Sequence, residues 1–443
     1  MTRAVGLALL ATGALAAGPL GPAAAPAAEF NGYLQEAISV RTGEGDVIFH
    51  RQTFNVKFEE NASRRVMFRF EVDAWRDDPE FLDDRVRTRL REGYLRLRFP
   101  DFDLRLGRVQ LAWGTAEGVI IGDQVSPFDI ENFIVPGFDE IRLGVDGVFV
   151  DYYFSLEYRL QALWISHFQP PDFPNPASPW FPADLDELEA PGFNVELQPF
   201  TRPANTFENS EFGFRFSGNP TVADFAIGYL RSWDDRPTLH IRPGAEPATF
   251  LAVPEHDQFD LFTANVVYPI RGALLRADIA FERNRFLQLR PPDSPDPADP
   301  RLAEAFSDEF VARHDIVRSL VGIDLKPSFS WWQQADAAIQ FVHEEVIDPH
   351  PFLAVADRTD LVSILLRAAY RNETVKPWLF AIADVRGSNA WVQAKVDYEP
   401  FDGWRLSLEY DWFGGHAFDG DDGGIFGMFD DNDMVKSSIR YSF

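Results

Sequence analysis

The sequence predicts an all-β protein, a transmembrane barrel of antiparallel strands. Three observations predict this fold: apolar and charged residues alternate along most of the chain, its connections alternate between short and long, and its last strand ends on Phe443. The chain has 443 residues and no Cys, which excludes disulfides and thiol chemistry. Its formal net charge of −28 argues against a surface for binding nucleic acid.

The N-terminal residues have the pattern of a secretory signal peptide. Arg3 precedes an apolar run over residues 4–17, and small residues follow as far as Ala28. A basic start, a short apolar stretch and a small-residue cleavage site define such a signal, and the run is too short to span a bilayer. We therefore expect a signal peptide over 1–28 and a barrel over 29–443.

The strands are predicted from a period of two. Phe68, Phe70 and Val72 alternate with Arg69 and Glu71, and the same pattern recurs along the chain. Successive side chains of a strand lie on opposite faces, so each segment has one apolar and one charged face. About 18 such segments start near residues 29, 47, 63, 91, 102, 141, 154, 208, 221, 258, 272, 314, 330, 359, 375, 390, 404 and 433. The hairpins at 41–47 and 386–389 are short, so 16 strands is the alternative.

The connections between these segments predict which membrane the barrel occupies. Short turns such as 217–220, 270–272 and 399–403 carry Gly, Pro, Asn and Asp. Short periplasmic turns and long extracellular loops are typical of bacterial outer-membrane barrels, and the outer membrane is the predicted location. The long connections cover residues 76–90, 114–140, 169–206, 234–256, 287–312, 346–357 and 414–432.

The last strand resembles the terminal signal of Gram-negative outer-membrane proteins. Val435, Ser437, Ile439, Tyr441 and Phe443 alternate with polar residues. The resemblance implies that the barrel-assembly machinery reads Tyr441 and Phe443 as an assembly signal. Outer-membrane lipid and lipopolysaccharide are then the expected surroundings, and a homo-oligomer is one option that the sequence leaves open.

The charged faces of the strands would line the lumen. A barrel of 16–18 strands encloses an aqueous channel unless something plugs it. The lining arginines would either guide anionic solutes with their planar guanidinium groups or form salt bridges with the interleaved acids. Arg108 joins this set if Gly107 forms a bulge that turns it inward. The predicted pore-lining residues are Arg69, Arg96, Arg98, Arg105, Arg108, Arg142 and Arg159.

The third connection, residues 114–140, is too apolar for a solvated loop. It contains Val119, Ile121 and Ile130 and is marked by Gly and Pro. We predict that it folds into the barrel mouth and constricts the pore, since loops in that position set pore size. The alternative is that it packs on other outer loops or forms an oligomer contact. The predicted constriction residues are Trp113, Gly114, Asp123, Pro127, Phe128 and Asp129.

Two stretches of the chain carry a family resemblance. "LGRVQLAWG…IIGDQVSPFDI" and the terminal "DNDMVKSSIRYSF" resemble a group of uncharacterised proteobacterial outer-membrane proteins of the domain-of-unknown-function type. Its members tend to carry Gly-Arg-Gln, then Trp-Gly, then Asn-Pro-hydrophobic-Asp; Val109 and Ser126 depart from this pattern. The resemblance implies a channel found beside exporters. The chain is also similar in size to the alginate-export barrels, which are Arg-rich inside.

No catalytic or metal motif accompanies the barrel pattern. The sequence has eight His but no H-E-x-x-H and no G-x-S-x-G. We predict no enzyme activity, no cofactor and no metal, and a porin-like channel for a small or amphipathic solute, one form of which is the outer-membrane step of an export route. The alternatives are a structural or adhesive surface barrel with a plugged lumen and, third, an outer-membrane hydrolase.

Deleting residues 116–136 tests the constriction. Removing a segment that narrows the pore should raise the single-channel conductance in planar bilayers. The control is a deletion of similar length in the predicted outer loop 169–206. A conductance that stays unchanged after deletion of 116–136 would contradict the constriction.

Overall fold

The computed structural model describes residues 28–77, 86–115, 118–119, 121–174, 178–181, 194–246, 249–290, 300–327, 334–386, 389–415 and 424–443. The predicted signal peptide lies outside these ranges apart from Ala28. Parts of the predicted long loops, among them 78–85 and 182–193, also lie outside them.

Eighteen strands form one antiparallel sheet that closes on itself. They range from 8 to 16 residues in length. The barrel strands are β1 Glu29–Arg41, β2 Val47–Glu60, β3 Val66–Asp77, β4 Arg87–Arg98, β5 Phe102–Val109, β6 Val145–Tyr153, β7 Tyr158–Ile165, β9 Glu211–Gly218, β10 Asp224–Trp233, β13 Gln258–Ile270, β14 Ala273–Gln288, β15 Val311–Leu325, β16 Gln334–Ile347, β17 Arg358–Ala369, β18 Val375–Asp384, β19 Asn389–Tyr398, β20 Trp404–Gly414 and β21 Met434–Ser442.

The predicted fold class is therefore confirmed, and the strand number is 18 rather than the alternative of 16. Every predicted strand start lies within four residues of an observed one. The short hairpin at 42–46 is a true turn, because Gly45 N donates to Arg41 O at 3.0 Å. The pattern was readable because each barrel wall faces lipid on one side and polar groups on the other.

The elements outside the barrel belong to the connections. A three-stranded sheet consists of β8 Asn194–Leu197, β11 Thr238–Pro243 and β12 Thr249–Glu255. The helices are α1 Phe138–Ile141, α2 Pro300–Ser307 and α3 Gly424–Gly427, with one 3-10 turn over Asp430–Asn432. Within the described ranges, no helix has the length and apolar content required to cross a membrane. The small sheet was not predicted, since it joins two connections that are far apart in the chain.

The seam between the first and last strands closes the barrel. Tyr33 pairs with Ser442 and Arg41 with Met434. Beyond the strand end, the amide and carbonyl of Phe443 bond to those of Gly32 at 3.0 and 3.1 Å. The Phe443 ring lies 6.0 Å from Phe30 and 6.4 Å from Phe54, measured between ring centroids. A sheet paired in this way leaves no edge unsatisfied in hydrocarbon.

The two faces of the wall differ as the alternation predicts. On β3, Phe68 and Phe70 are 45% and 48% exposed, whereas Met67 and Asp73 on the opposite face are 4% and 7% exposed. The exposed face is apolar around the barrel, so it forms a belt suited to lipid. The inward face is polar and largely covered.

Two irregularities in the ladder bring extra charges inward. Between β3 and β4, Glu71 pairs with Glu92 but Val72 pairs with Leu90, so Arg91 is bulged. Arg91 and its neighbour Glu92 are consequently both buried. A second register shift, between Glu282 and Arg285 of β14, likewise leaves both of these charged residues buried. A bulge redirects side chains in this way because it breaks the period of two.

We expect Phe443→Ala to weaken the seam. The substitution removes two ring contacts, each worth about 1 kcal/mol, and should lower the free energy of unfolding and the fraction of folded barrel. Heat-modifiable migration in SDS gels and urea unfolding in lipid vesicles measure these quantities. Phe401→Ala is the matched control, because Phe401 is 73% exposed in a turn. Equal effects from both variants would remove the special role of Phe443.

Candidate functional site

The connection between β5 and β6, residues 110–144, crosses the barrel interior; we call it the inner segment. Trp113 Nε1 donates to Gln161 Oε1 of β7 at 2.7 Å. Thr115 Oγ1 donates to Asp278 of β14 at 2.7 Å. The ammonium group of Lys436, on β21, donates to the carbonyl of Val135. These strands belong to separate parts of the wall, so the described residues of the inner segment lie within the lumen.

Asp123 ties the beginning of the inner segment to its end. Its Oδ1 accepts from the Trp113 backbone amide at 2.8 Å, and its Oδ2 accepts from Arg142 Nη2 at 2.5 Å. Arg142 Nη1 also donates to the Leu111 carbonyl at 3.0 Å. Gly114 passes so close to Asp123 that a Cβ there would lie 3.1 Å from the Asp123 Cβ. The segment is therefore a folded unit rather than a loose loop.

The remaining predicted constriction residues also make contacts in this unit. Phe128 forms an isolated bridge with Arg142, whose guanidinium carbon lies 4.7 Å from the Phe128 ring centre. The Pro127 carbonyl accepts from the Leu143 amide at 2.8 Å. Asp129 Oδ2 accepts from Arg89 Nη1 at 2.6 Å. Their role in setting pore size stays a prediction.

Sequence reasoning missed the arginines that anchor the inner segment to β4. Arg87 Nη1 donates to Glu131 at 2.8 Å, and Arg91 Nη1 donates to the Glu140 carbonyl at 2.7 Å. Arg89, between them, binds Asp129. A signal was present, since "RTRLR" places Arg at alternate positions of one strand face. The predicted strand start near 91 excluded these positions from the strand.

Two apolar clusters surround the inner segment toward the loop ends of the strands. In the first, Trp113, Ile121 and Val125 pack with wall residues such as Leu230 and Leu261. The second is aromatic. It places Phe133 over Trp180 at 5.5 Å and packs it against Phe413, Phe429 and Trp391. Together the clusters pack the inner segment against the wall in the outer part of the lumen.

Most of the predicted pore-lining arginines bind a neighbouring acid on the inner face. Arg69 Nε lies 2.6 Å from Glu92, Arg105 Nη2 donates to Asp151 at 2.9 Å, and Arg96 binds Asp103. Arg98 donates instead to the Asn61 side chain at 3.2 Å. Arg159 has a longer contact, 3.7 Å from Nη1 to Asp151. The interpretation as salt-bridged lumen charges therefore describes Arg69, Arg96 and Arg105 well.

The expectation that a bulge turns Arg108 inward requires correction. The β5–β6 register runs through Gly107 without a shift, and Arg108 pairs with Asp146. Arg108 consequently lies on the same strand face as the exposed Leu106, and Arg105 lies on the opposite face. Asp146 holds it with two bonds, of 2.8 and 2.6 Å. Gly107 has a φ of 124°, which Gly accommodates without breaking the ladder.

Three cavities with charged residues in their lining lie at the other end of the barrel and reach the short turns. The first, of about 390 Å³, is lined by Arg159, Arg215 and turn residues such as Glu157. The second, of about 610 Å³, and the third, of about 320 Å³, share Asp336 and Arg367. Charged residues thus line hollow space at the periplasmic end of the lumen, whereas the inner segment occupies the lumen toward its outer end. Within the part of the chain that the structure describes, no cluster of His and acidic residues could hold a metal.

The small sheet outside the barrel contains one charged cluster around a histidine. His240 Nδ1 lies 2.8 Å from Glu309 and Nε2 lies 3.2 Å from Asp257; Glu255 is 3.9 Å away, and Arg242 binds both glutamates. Burial alone would lower the pKa of His240, but its bonds with Asp257 and Glu309 outweigh burial and raise that pKa. Burial lowers the pKa of His256, which bonds the Asp234 carbonyl.

Comparison with known proteins agrees with this architecture. Residues 55–443 match the family model described as protein of unknown function DUF1302, which confirms the resemblance to an uncharacterised barrel family. No curated protein matches the chain.

Several solved structures share the fold. OccAB2 of Acinetobacter baumannii superposes with a TM-score of 0.53 at 10% identity, over 94% of this chain and 98% of that chain. OccAB1 of the same organism gives a TM-score of 0.52 at 10% identity, over 94% of this chain and 95% of that chain. OccD3 (OpdP) of Pseudomonas aeruginosa gives a TM-score of 0.51 at 9% identity, over 94% of this chain and 91% of that chain. At such identities the likeness shows the barrel fold alone.

The His240 cluster should make the stability of the small three-stranded sheet depend on pH. A raised folded-state pKa means that protonation favours the folded sheet; the gain is complete below about pH 6.5 and is lost as pH rises through the higher folded value. Hydrogen-exchange protection of β11 amides should therefore fall as the pH rises above about 6.5. His240→Gln should abolish this fall, whereas His256→Gln should leave it. A fall that persists in His240→Gln would refute the assignment.

Proposed function

The chain belongs to the DUF1302 family, and we propose that it is a gated channel of the bacterial outer membrane that passes small or amphipathic solutes. The inner segment is the gate, and the cavities at the periplasmic end form its vestibule. The observation that carries this proposal is the division of the lumen into a hollow part with charged residues in its lining and a part occupied by the inner segment.

The polar vestibule supports passage of a solute better than a purely structural role. Its cavities of about 610 and 320 Å³ are lined by charged groups, including Arg276, Asp336 and Lys376. Charged side chains that serve only stability are usually replaceable by apolar packing, because desolvating a charge is costly. A wall that keeps its charges around hollow space is suited to water and to polar solutes.

The inner segment can act as a gate because its polar ties to β14, on the far wall, are few. Thr115 binds Asp278, Gln124 Nε2 donates to Glu282 at 2.6 Å, and Arg276 Nη1 donates to the Thr115 carbonyl at 2.9 Å. Each hydrogen bond contributes about 1 kcal/mol net, or more where a charged group takes part. These bonds are weak enough for a solute with differential affinity to break them when it shifts the closed and open populations.

The orientation of the cavities favours loading from the periplasm. The first cavity reaches the turn at Glu157, the second the turn at Arg271, and the third the turn at Glu373. A solute would enter from this side, and movement of the inner segment would release it outward. The channel would then supply the outer-membrane step of an export route.

The surroundings of the barrel follow from its outer face. The exposed apolar belt supports contact with membrane lipid, and the outer loops face lipopolysaccharide. Tyr441 and Phe443 would engage the assembly machinery before the seam closes. A homo-oligomer would use part of the same belt.

One observation favours a second candidate, a structural or adhesive surface barrel. The two apolar clusters fill the outer lumen with buried aromatic side chains, as a permanent plug would. The two candidates differ in whether the inner segment moves. Liposome swelling with small sugars or uronates separates them, because a permanent plug admits no solute.

A disulfide between the inner segment and the wall tests the gate. A Cβ at Gly122 would lie 3.4 Å from the Thr263 Cβ on β13, close to the range of about 3.5–4.5 Å that disulfides adopt. Gly122→Cys with Thr263→Cys also removes the Thr263 methyl group that would obstruct the new side chain. The native chain has no Cys, so the bridge would be the sole disulfide.

We expect the oxidised double variant to show no openings in planar bilayers and dithiothreitol to restore them. The two single-Cys variants are the controls and should conduct under both conditions. Oxidised protein that conducts like the wild type would rule out the inner segment as the gate. Absence of conductance from every form, reduced or not, would favour the plugged barrel.

A further inference from the structure

We infer that the cavity beside β7 and β9 is a binding subsite for an anionic group, a carboxylate or a phosphate, with Arg159 and Arg215 as its ligands. The inference deepens the proposed channel function and rests on it for its biological meaning. The binding event itself needs only the folded barrel.

Arg215 differs from the other inward arginines. Its Nη1 makes one long bond, 3.5 Å to the Ala112 carbonyl. Among the described residues, no carboxylate lies within ion-pair distance of its guanidinium group. Arg69 and Arg105, by contrast, each bind an acid at 2.9 Å or less. Asp123 and Asp278 act on this partly buried cation only from beyond ion-pair distance, so a ligand with a negative charge would stabilise it further.

Arg159 adds a second positive charge to the same wall. In the β7–β9 register, Arg159 pairs with Ser217 and Gln161 pairs with Arg215, so the two arginines are diagonal neighbours on one face. The Arg159 side chain is 38% exposed, and its contact with Asp151 is 3.7 Å long. Asp151 already accepts closer bonds from Arg105 at 2.9 Å and from Gln161 at 2.8 Å. Its charge is therefore shared among three groups.

The cavity next to these arginines can hold a small anion. It measures about 390 Å³, and Ser217 and Asn265 supply further donors at its wall. Two acids also line it: Glu157, in the turn before β7, and Asp224, the first residue of β10. Both belong to the periplasmic rim, whereas Arg215 lies three residues inside the end of β9. An anionic group would thus bind at the inner end of the cavity.

The subsite adjoins the gate. Thr115 of the inner segment lines the cavity, and the Ala112 carbonyl of the same segment receives the long bond from Arg215. An anion that binds Arg215 in a planar fork competes with this bond. Occupancy would consequently weaken one tie between the inner segment and the wall.

Isothermal titration of the folded barrel in detergent tests the subsite, with inorganic phosphate and benzoate as separate probes. We expect saturable binding of at least one probe, and a loss of affinity of at least about tenfold in Arg215→Gln and Arg159→Gln, the scale of a lost charge-assisted bond. Arg215→Lys should keep part of the affinity, since it retains the charge but not the fork. The probe that binds more tightly identifies the anion class.

The matched control is Arg405→Gln. Arg405 also faces inward but donates to Glu399 at 2.8 Å and lines none of the three cavities. It should leave the affinity unchanged. An equal loss of affinity in Arg405→Gln, or wild-type affinity in Arg215→Gln, would overturn the proposed subsite. Heat-modifiable migration verifies that each variant is folded, and Arg215→Lys decides the matter if Arg215→Gln does not fold.

Binding in the titration does not require the channel to open, so the experiment separates the anion subsite from the channel function. A barrel that binds phosphate but never conducts would retain the subsite and lose the channel. A barrel that conducts but binds neither probe would retain the channel and lose the subsite.

Discussion

Every backbone amide and carbonyl of a membrane-spanning sheet must find its partner inside the protein, because hydrocarbon offers none. In this chain the requirement is met by pairing β1 with β21, so that eighteen strands close without an edge. Closure fixes the rest of the architecture. It gives each strand a lipid face and a lumen face, sends successive connections to opposite ends, and creates an interior that must be filled or hydrated.

The two ends of the barrel interior are packed differently. Toward the outer side, the inner segment brings its own apolar side chains and is held by Asp123 and Arg142 within itself and by Arg87, Arg89 and Arg91 on β4. The bulge at Arg91 matters here, because it keeps both Arg91 and Glu92 on the inner face, where a regular strand would turn one of the two toward lipid. Toward the periplasm, charged residues line hollow space.

The pairing of charges gives these two regions their functions in the proposed channel. Arginines such as Arg69 and Arg105 neutralise acids of neighbouring strands and hold the wall together. Arg215 forms no ion pair with an acid among the described residues and faces a cavity beneath the proposed gate. A solute that carries a negative group can take the place of the missing acid, and its binding site then lies next to the element that must move.

The sequence by itself determined the barrel, the positions of its strands, and the terminal strand that ends on Phe443. These features are local, because a period of two is visible within a few residues and Gly, Pro and Asn mark the turns. Only the tertiary structure decided that Arg108 pairs with Asp146 on the outer face, that Arg87, Arg89 and Arg91 anchor the inner segment, and that β8 joins β11 and β12. These outcomes depend on residues far apart in the chain, whose meeting is set by register and closure rather than by local pattern.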